Sequence, residues 1–178
     1  MRTLWTDGLV LEPQVAAHAE ELYPILRDPA LYEYENDPPA SLEALRARLA
    51  RLESRTSPDG AEGWLNWVIR LPSAEPIGFV QATVHADGRA AIAYELGSAY
   101  WGRGLARRAV EAMLSELAEA YAVQRFSAAL KRPNLRSMRL LERLGFTPAP
   151  AQECERIGVE PDEVLMMREA GMKTVAEA

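Results

Sequence analysis

The sequence has little cysteine or histidine: it contains one cysteine, Cys154, and two histidines, His18 and His85. A single cysteine cannot form an internal disulfide, and two histidines cannot supply a histidine-rich metal site. We interpret Cys154 as a small apolar filler, because the sequence shows no neighbour that would activate its thiol. We therefore predict that the protein binds no metal ion and that an apolar core, with no disulfide, stabilises the fold.

Long apolar runs are also missing. No segment approaches the roughly 18 apolar residues that a transmembrane helix needs. Residues 1–20 lack the basic start and the apolar stretch that mark a secretory signal. We therefore expect a soluble, cytoplasmic protein with no membrane partner.

Basic residues are fewer than acidic ones: 20 Lys and Arg against 26 Asp and Glu give a formal net charge of −6. Proteins that bind nucleic acid through general electrostatic attraction are usually basic. This balance predicts no nucleic-acid partner and fits a neutral or cationic substrate better.

What the sequence does contain is an ordinary globular composition, with 48% apolar and 26% charged residues. Hydrophobic periodicity predicts one mixed α/β domain over residues 1–168, in the order β-α-α-β-β-β-α-β-α-β, and a flexible tail over 169–178. The predicted strands are 3–12, 64–71, 77–85, 90–96, 125–130 and 164–167. The predicted helices are 15–26, 42–55, 106–121 and 134–144.

A glycine-rich turn separates the strand at 90–96 from the next helix. It consists of Trp101, Gly102, Arg103, Gly104, Leu105 and Ala106. Glycines let the backbone turn tightly and approach a ligand, and the first N–H groups of a helix point beyond its end. With the helix dipole and the cations Arg103, Arg107 and Arg108, the pattern predicts a phosphate site. A turn made only for packing is the alternative.

A second segment, Asn134-Leu135-Arg136-Ser137, begins the following helix directly after a strand. Taken alone, it is explained by Asn134 as N-cap and Ser137 as a hydroxyl of the first turn. The glycine turn is not a P-loop, because no lysine follows it, and it is not a dinucleotide fingerprint, because position 107 is arginine.

Together the two segments resemble the GNAT superfamily of acetyl-CoA-dependent N-acetyltransferases, in particular its RimJ/RimL-like branch. The resemblance rests on Tyr94, on the loop Trp101–Ala106 and on the block Asn134–Phe146. It implies a mixed α/β fold with a central, mostly antiparallel twisted sheet of about six to seven strands and about four flanking helices. It also implies a splay between the strands at 90–97 and 125–130.

The resemblance further implies the cofactor and the reaction. Acetyl-CoA would be the co-substrate, and a primary amine, either a protein N-terminus or a small molecule, would attack its thioester directly. Ser137 resembles the branch's proton donor to the departing thiolate. The implied cofactor contacts are Leu96, Gly97, Trp101, Gly102, Arg103, Gly104, Leu105, Ala106, Asn134 and Ser137.

The general base stays open at this stage. Glu155 follows the Asn-x-x-Ser helix, where the branch tends to keep a carboxylate, and Glu95 is the one charged residue on the alanine face of its strand. A water chain is the third alternative, because an α-amine of pKa about 7.7–8.0 is roughly one-tenth neutral at pH 7 and needs little help.

A catalytically idle acyl-CoA-binding sensor or scaffold is the alternative function. Ser137 favours the enzyme, because it stands where a thiolate donor is needed. The sequence identifies neither the acceptor amine nor the oligomeric state, for which a homodimer is one alternative.

Overall fold

The computed structural model describes residues 1–34 and 37–171. The strands are β1 Leu4–Thr6, β2 Leu9–Pro13, β3 Glu62–Arg70, β4 Pro76–His85, β5 Arg89–Leu96, β6 Arg125–Lys131, β7 Thr147–Pro148 and β8 Glu163–Glu169. The α-helices are α1 Ala19–Leu26, α2 Leu42–Leu52, α3 Leu105–Tyr121, α4 Leu135–Arg143 and α5 Ala151–Ile157.

The strands form one sheet in the order β1-β2-β3-β4-β5-β6-β8-β7. Every neighbouring pair is antiparallel except β5 and β6, which run parallel. The predicted mixed α/β architecture with a mostly antiparallel sheet is therefore confirmed.

Helices cover both faces of the sheet. Val110, Met113 and Leu117 form a fully buried stripe on α3, at the helical spacing expected from the sequence. On the opposite face, α1 and α2 pack over Val68 and Phe79. The helix α2 begins where predicted, because the Ser41 Oγ accepts a hydrogen bond of 3.1 Å from the Ala44 N–H.

The short strand predicted within 3–12, through Leu9, Val10 and Leu11, is β2, and a further strand, β1, precedes it and pairs with it as a hairpin. Asp7-Gly8 forms the turn, and Gly8 has a φ of 71°. Asp-Gly is a strong two-residue hairpin signal, and here glycine stands at the turn position that takes a positive φ. With β7 as a further strand, the sheet has eight strands rather than six or seven.

Other boundaries also differ. Residues Ala16–His18 form a 3-10 turn before α1, and α2 ends before Arg55, whose φ of 65° is incompatible with a continuing helix. The helix α5 was not predicted. Glu169 is the last residue of β8, and the Ala170 N–H donates to the Gln124 carbonyl at 2.7 Å. The rest of the predicted tail, residues 172–178, lies outside the described part of the chain.

The parallel pairing of β5 with β6 is short. It runs from Arg89 opposite Arg125 to Ala91 opposite Ser127, and no further pairs follow along either strand. The two strands therefore diverge over their second halves, which confirms the expected splay. This divergence opens the sheet where α3 and α4 begin.

Candidate active site

A cavity of about 700 Å³ lies at the opening between β5 and β6. Its walls come from the end of β5, the turn before α3, the beginning of α3, one side of α4 along its whole length, and the segment at 30–34. Most of the predicted cofactor contacts line it, namely Leu96, Trp101, Gly102, Gly104, Leu105, Ala106, Asn134 and Ser137. The tertiary structure thus brings the two sequence segments to one place.

Two predicted contacts, Gly97 and Arg103, are not among the lining residues. The Gly97 N–H donates to the Ile77 carbonyl at 2.9 Å, so it belongs to the sheet and is not open to a ligand. The guanidinium carbon of Arg103 lies 5.8 Å from the centroid of the Tyr100 ring. The contacts of Gly97 and Arg103 with the cofactor stay predictions.

The glycine turn presents bare backbone to the cavity. Gly102 and Gly104 both have a φ of 72°, and a Cβ added at either would have no atom within 4 Å. Side chains rarely adopt this left-handed conformation, which is why glycine stands at both positions. Gly104 is the N-cap of α3, so the first helical turn presents its N–H groups to the same opening.

Arginines dominate the charge of the cavity. Five of them line it, which are Arg107, Arg108, Arg136, Arg139 and Arg143, beside the two carboxylates of Glu95 and Glu111. Those at 136, 139 and 143 share one face of α4, because positions three and four apart are neighbours on a helix. Of these five, the sequence predicted only Arg107 and Arg108 as cations of the phosphate site. The spacing of three and four residues on α4 could have indicated the other three. The cavity is suited to a polyanion although the whole chain is acidic.

Trp101 joins the turn to both neighbouring elements. Its indole Nε1 donates to the Leu96 carbonyl at 2.8 Å, which fixes the turn to the end of β5. The guanidinium carbon of Arg136 lies 3.3 Å from the centroid of its ring, a close cation–π contact with α4. Trp101 therefore positions the turn as well as lining the cavity.

Two hydroxyl groups meet at the base of the cavity. The Tyr94 hydroxyl and the Ser137 Oγ are 2.6 Å apart. Burial raises the pKa of Tyr94 to about 12, so its phenol keeps its proton at neutral pH. Asn134 caps α4, because its Oδ1 accepts from the Ser137 N–H at 3.1 Å. The cap holds the Ser137 side chain next to the Tyr94 phenol. The sequence predicted no chemical role for Tyr94.

Glu95 also lines the cavity, one residue along β5 from Tyr94. Its Oε1 is buried and has no hydrogen-bond partner among the described residues. Burial raises the pKa of this carboxyl, while the nearby Tyr32 hydroxyl, which donates to the Leu26 carbonyl at 2.6 Å, and the positive charge of Arg48 act in the opposite direction. A carboxylate in this environment accepts a proton more readily than an exposed one.

Glu155 lies elsewhere. It is exposed on α5 and is not among the residues that line the cavity. The structure therefore brings Ser137 and Glu95 together and leaves Glu155 apart, because the unpredicted helix α5 presents that carboxylate to solvent.

In the described residues, no group of three or more His, Cys, Asp or Glu side chains is placed to hold a metal ion. None of the described helices is both long and apolar enough to span a membrane.

Comparison with known proteins gives consistent results. A family model described as an acetyltransferase (GNAT) domain matches residues 8–147. A protein described as the uncharacterized N-acetyltransferase p20 of Bacillus licheniformis is 26% identical over 148 residues, which cover 82% of this chain and 83% of that protein.

Solved structures share the fold. The ribosomal-protein-S5-alanine acetyltransferase of Vibrio fischeri has a TM-score of 0.77 at 19% identity, over 95% of this chain and 97% of that one. RimL, a ribosomal L7/L12 alpha-N-protein acetyltransferase, has a TM-score of 0.74 at 18% identity, over 94% and 93%. The microcin C7 self-immunity acetyltransferase MccE, in complex with acetyl-CoA and AMP, has a TM-score of 0.76 at 19% identity, over 92% and 93%.

Proposed function

The chain belongs to the GNAT acetyltransferase family, and on this premise we propose that it is an acetyl-CoA-dependent N-acetyltransferase acting on a primary amine. The acceptor is a protein N-terminus or a small-molecule amine. The similarity to RimL and to the S5-alanine acetyltransferase is consistent with the RimJ/RimL-like branch. The observation that carries the proposal is the splay of β5 from β6, which opens onto a cationic cavity holding the Tyr94–Ser137 pair.

The residues of the cavity fit acetyl-CoA. Its phosphates are a polyanion, and they match the bare backbone of Gly102 and Gly104, the helix start that follows, and the five lining arginines. The free edge of β5 suits the amides of the pantetheine arm. Successive N–H groups of a strand point to opposite sides, and the Gly97 N–H points toward β4, so the Leu96 N–H points away from β4 to the free edge. Acetyl-CoA supplies the activated acetyl thioester.

Ser137 and Tyr94 are proposed to protonate the leaving thiolate. When the amine nitrogen bonds to the acetyl carbon, the carbon–sulfur bond breaks and the sulfur takes up negative charge. The Ser137 hydroxyl gives its proton to that sulfur and receives one from Tyr94 across their 2.6 Å contact. Burial raises the pKa of Tyr94 to about 12, so the phenol is in its protonated form at neutral pH, and solvent returns its proton after each transfer.

Glu95 is proposed as the base that takes the proton of the attacking amine. Its buried, unpartnered Oε1 lines the same cavity as Ser137, whereas Glu155 is exposed on a different element. Its raised pKa suits proton uptake from an α-amine, because the pKa values of donor and acceptor are brought closer together.

The test is to mix the purified chain with acetyl-CoA and a panel of amines and to follow release of free thiol. The panel contains peptides with free N-termini, the same peptides with blocked N-termini, and polyamines. The proposal predicts thiol release that depends on a free amine, with acetylated product visible by mass spectrometry. Binding of acetyl-CoA without amine-dependent release would instead identify a catalytically idle acyl-CoA-binding module.

A further inference from the structure

A second cavity of about 420 Å³ lies beneath α2, on the sheet face that also carries Glu95. Its walls are Arg51 and Leu52 of α2 and the side chains of β3 and β4 that alternate with the main core. The residues proposed to contact acetyl-CoA do not line it. It is therefore a separate recess on the side from which an acceptor would approach.

Two amide side chains form a short row across the floor of this recess. Asn66 of β3 lies directly opposite Gln81 of β4, and both residues line the recess. Asn66 is 4% exposed. Gln14 neighbours Asn66 through a backbone hydrogen bond of 2.9 Å but does not line the recess. A buried amide is costly unless it is hydrogen-bonded, which makes Asn66 a candidate ligand contact.

The strand register connects the row to Glu95. Gln81 lies opposite Ala93 of β5, and Phe79 lies opposite Glu95, so the recess is two residues away along the strands. Two residues along a strand cover about 7 Å, and each strand crossed adds about 5 Å at right angles to that. The amides of Gln81 and Asn66 therefore lie about 8–12 Å from Glu95. Ala93 is small and exposed, and it leaves the intervening floor open. About three extended residues of a peptide span this distance.

One charged side chain, that of Arg51, lines the recess. Arg48 of the same helix lies outside the lining, with its guanidinium carbon 5.9 Å from the centroid of the Phe79 ring. The carboxylate of Glu62 on β3 already accepts from the Trp64 indole at 3.1 Å and pairs with His85 at 3.7 Å. A guanidinium above amide N–H groups is the donor set that a carboxylate prefers.

We infer that this recess is an acceptor subsite for the carboxylate of an acidic residue, one that lies within about the first four positions of a peptide whose N-terminal amine reaches Glu95. The inference rests on the proposed acetyltransferase function and adds the acceptor class, acidic peptide N-termini. Arg51 is the specificity-determining residue, with Asn66 and Gln81 as hydrogen-bond donors.

The binding test uses fluorescence anisotropy with C-terminally labelled peptides that differ only at position 3, carrying Glu, Gln or Lys, and protein saturated with CoA. We expect the Glu peptide to bind about tenfold more tightly than the Gln peptide, and the Lys peptide to bind most weakly. Arg51→Gln should abolish this preference. Arg46→Gln is the matched control on the same helix, since Arg46 is paired with Glu20 at 2.8 Å and should leave the preference intact.

Equal binding of the Glu and Gln peptides by the parent protein, or a preference that survives in Arg51→Gln, would overturn the inference. So would the absence of measurable binding for the Glu peptide. Acetyl transfer to the same peptides is measured in parallel, which separates the two proposals. An acidic preference without transfer would contradict the enzymatic function alone, and transfer without preference would contradict the subsite alone.

Discussion

The hydroxyl groups of Tyr94 and Ser137 lie 2.6 Å apart, although 43 residues separate them in the chain. One stands on β5 and the other on the first turn of α4, so their contact joins the two elements that border the splay. The proximity of a buried phenol to a capped serine is the arrangement a proton donor needs. Because of this contact, Ser137 of the helix-capping motif and Tyr94 together form a candidate catalytic pair.

Ser137→Ala should lower kcat by about 10- to 100-fold while leaving acetyl-CoA affinity nearly unchanged, because a proton donor acts on the departing thiolate and not on the bound thioester. Steady-state thiol release and calorimetric binding give the two quantities. Ser115→Ala, at an exposed position on α3, is the control. An equal loss of affinity and rate would assign Ser137 to cofactor binding only.

Gly104→Glu should weaken acetyl-CoA binding by at least about tenfold, because it adds a negative charge where the phosphates are proposed to bind. Gly60→Glu is a matched control, since Gly60 has the same φ of 72° and equally open surroundings in a distant turn. The backbone strain is then common to both variants. Calorimetric titration that finds the same affinity for the two variants would contradict the phosphate site.

Glu95→Gln should reduce the rate with an α-amine acceptor more at pH 6.5 than at pH 8.5, because the neutral amine becomes abundant as the pH approaches its pKa of about 8. A lysine-like acceptor should show the loss at both pH values. The same pH–rate profile for Glu155→Gln compares the two carboxylates directly. If the Glu95→Gln profile overlays the parent and that of Glu155→Gln does not, the base is Glu155.

Glu95→Gln should also change how the stability of the fold depends on pH. Because burial raises the pKa of Glu95 in the folded protein, the folded state binds more protons than the unfolded state between the ordinary glutamate pKa and the raised one. The free energy of unfolding therefore falls as pH rises through this window, and the full penalty is present above it. Glu95→Gln should raise Tm relative to the parent at pH 8 and much less at pH 4. A Tm difference between variant and parent that does not change with pH would contradict the raised pKa.

Local signals in the sequence predicted much of the fold. The strands predicted at 64–71 and 77–85 and the helix predicted at 106–121 each depend on residues close together in the chain, so hydrophobic pattern and propensity were sufficient to find β3, β4 and α3. The Asp7-Gly8 turn was an equally local signal that the sequence analysis missed. Two short elements, α5 and β7, carry too few residues for a periodic pattern to appear.

The sequence by itself determined which chemical groups this protein has: the two glycines of the turn, the Asn134–Ser137 cap, and the resemblance that these carry. Only the tertiary structure decided which groups meet. It placed Glu95 at the cavity and Glu155 in solvent, and it set Asn66 directly opposite Gln81. Such relationships depend on strand register and on the packing of helices against the sheet, which long-range contacts fix and local sequence does not encode.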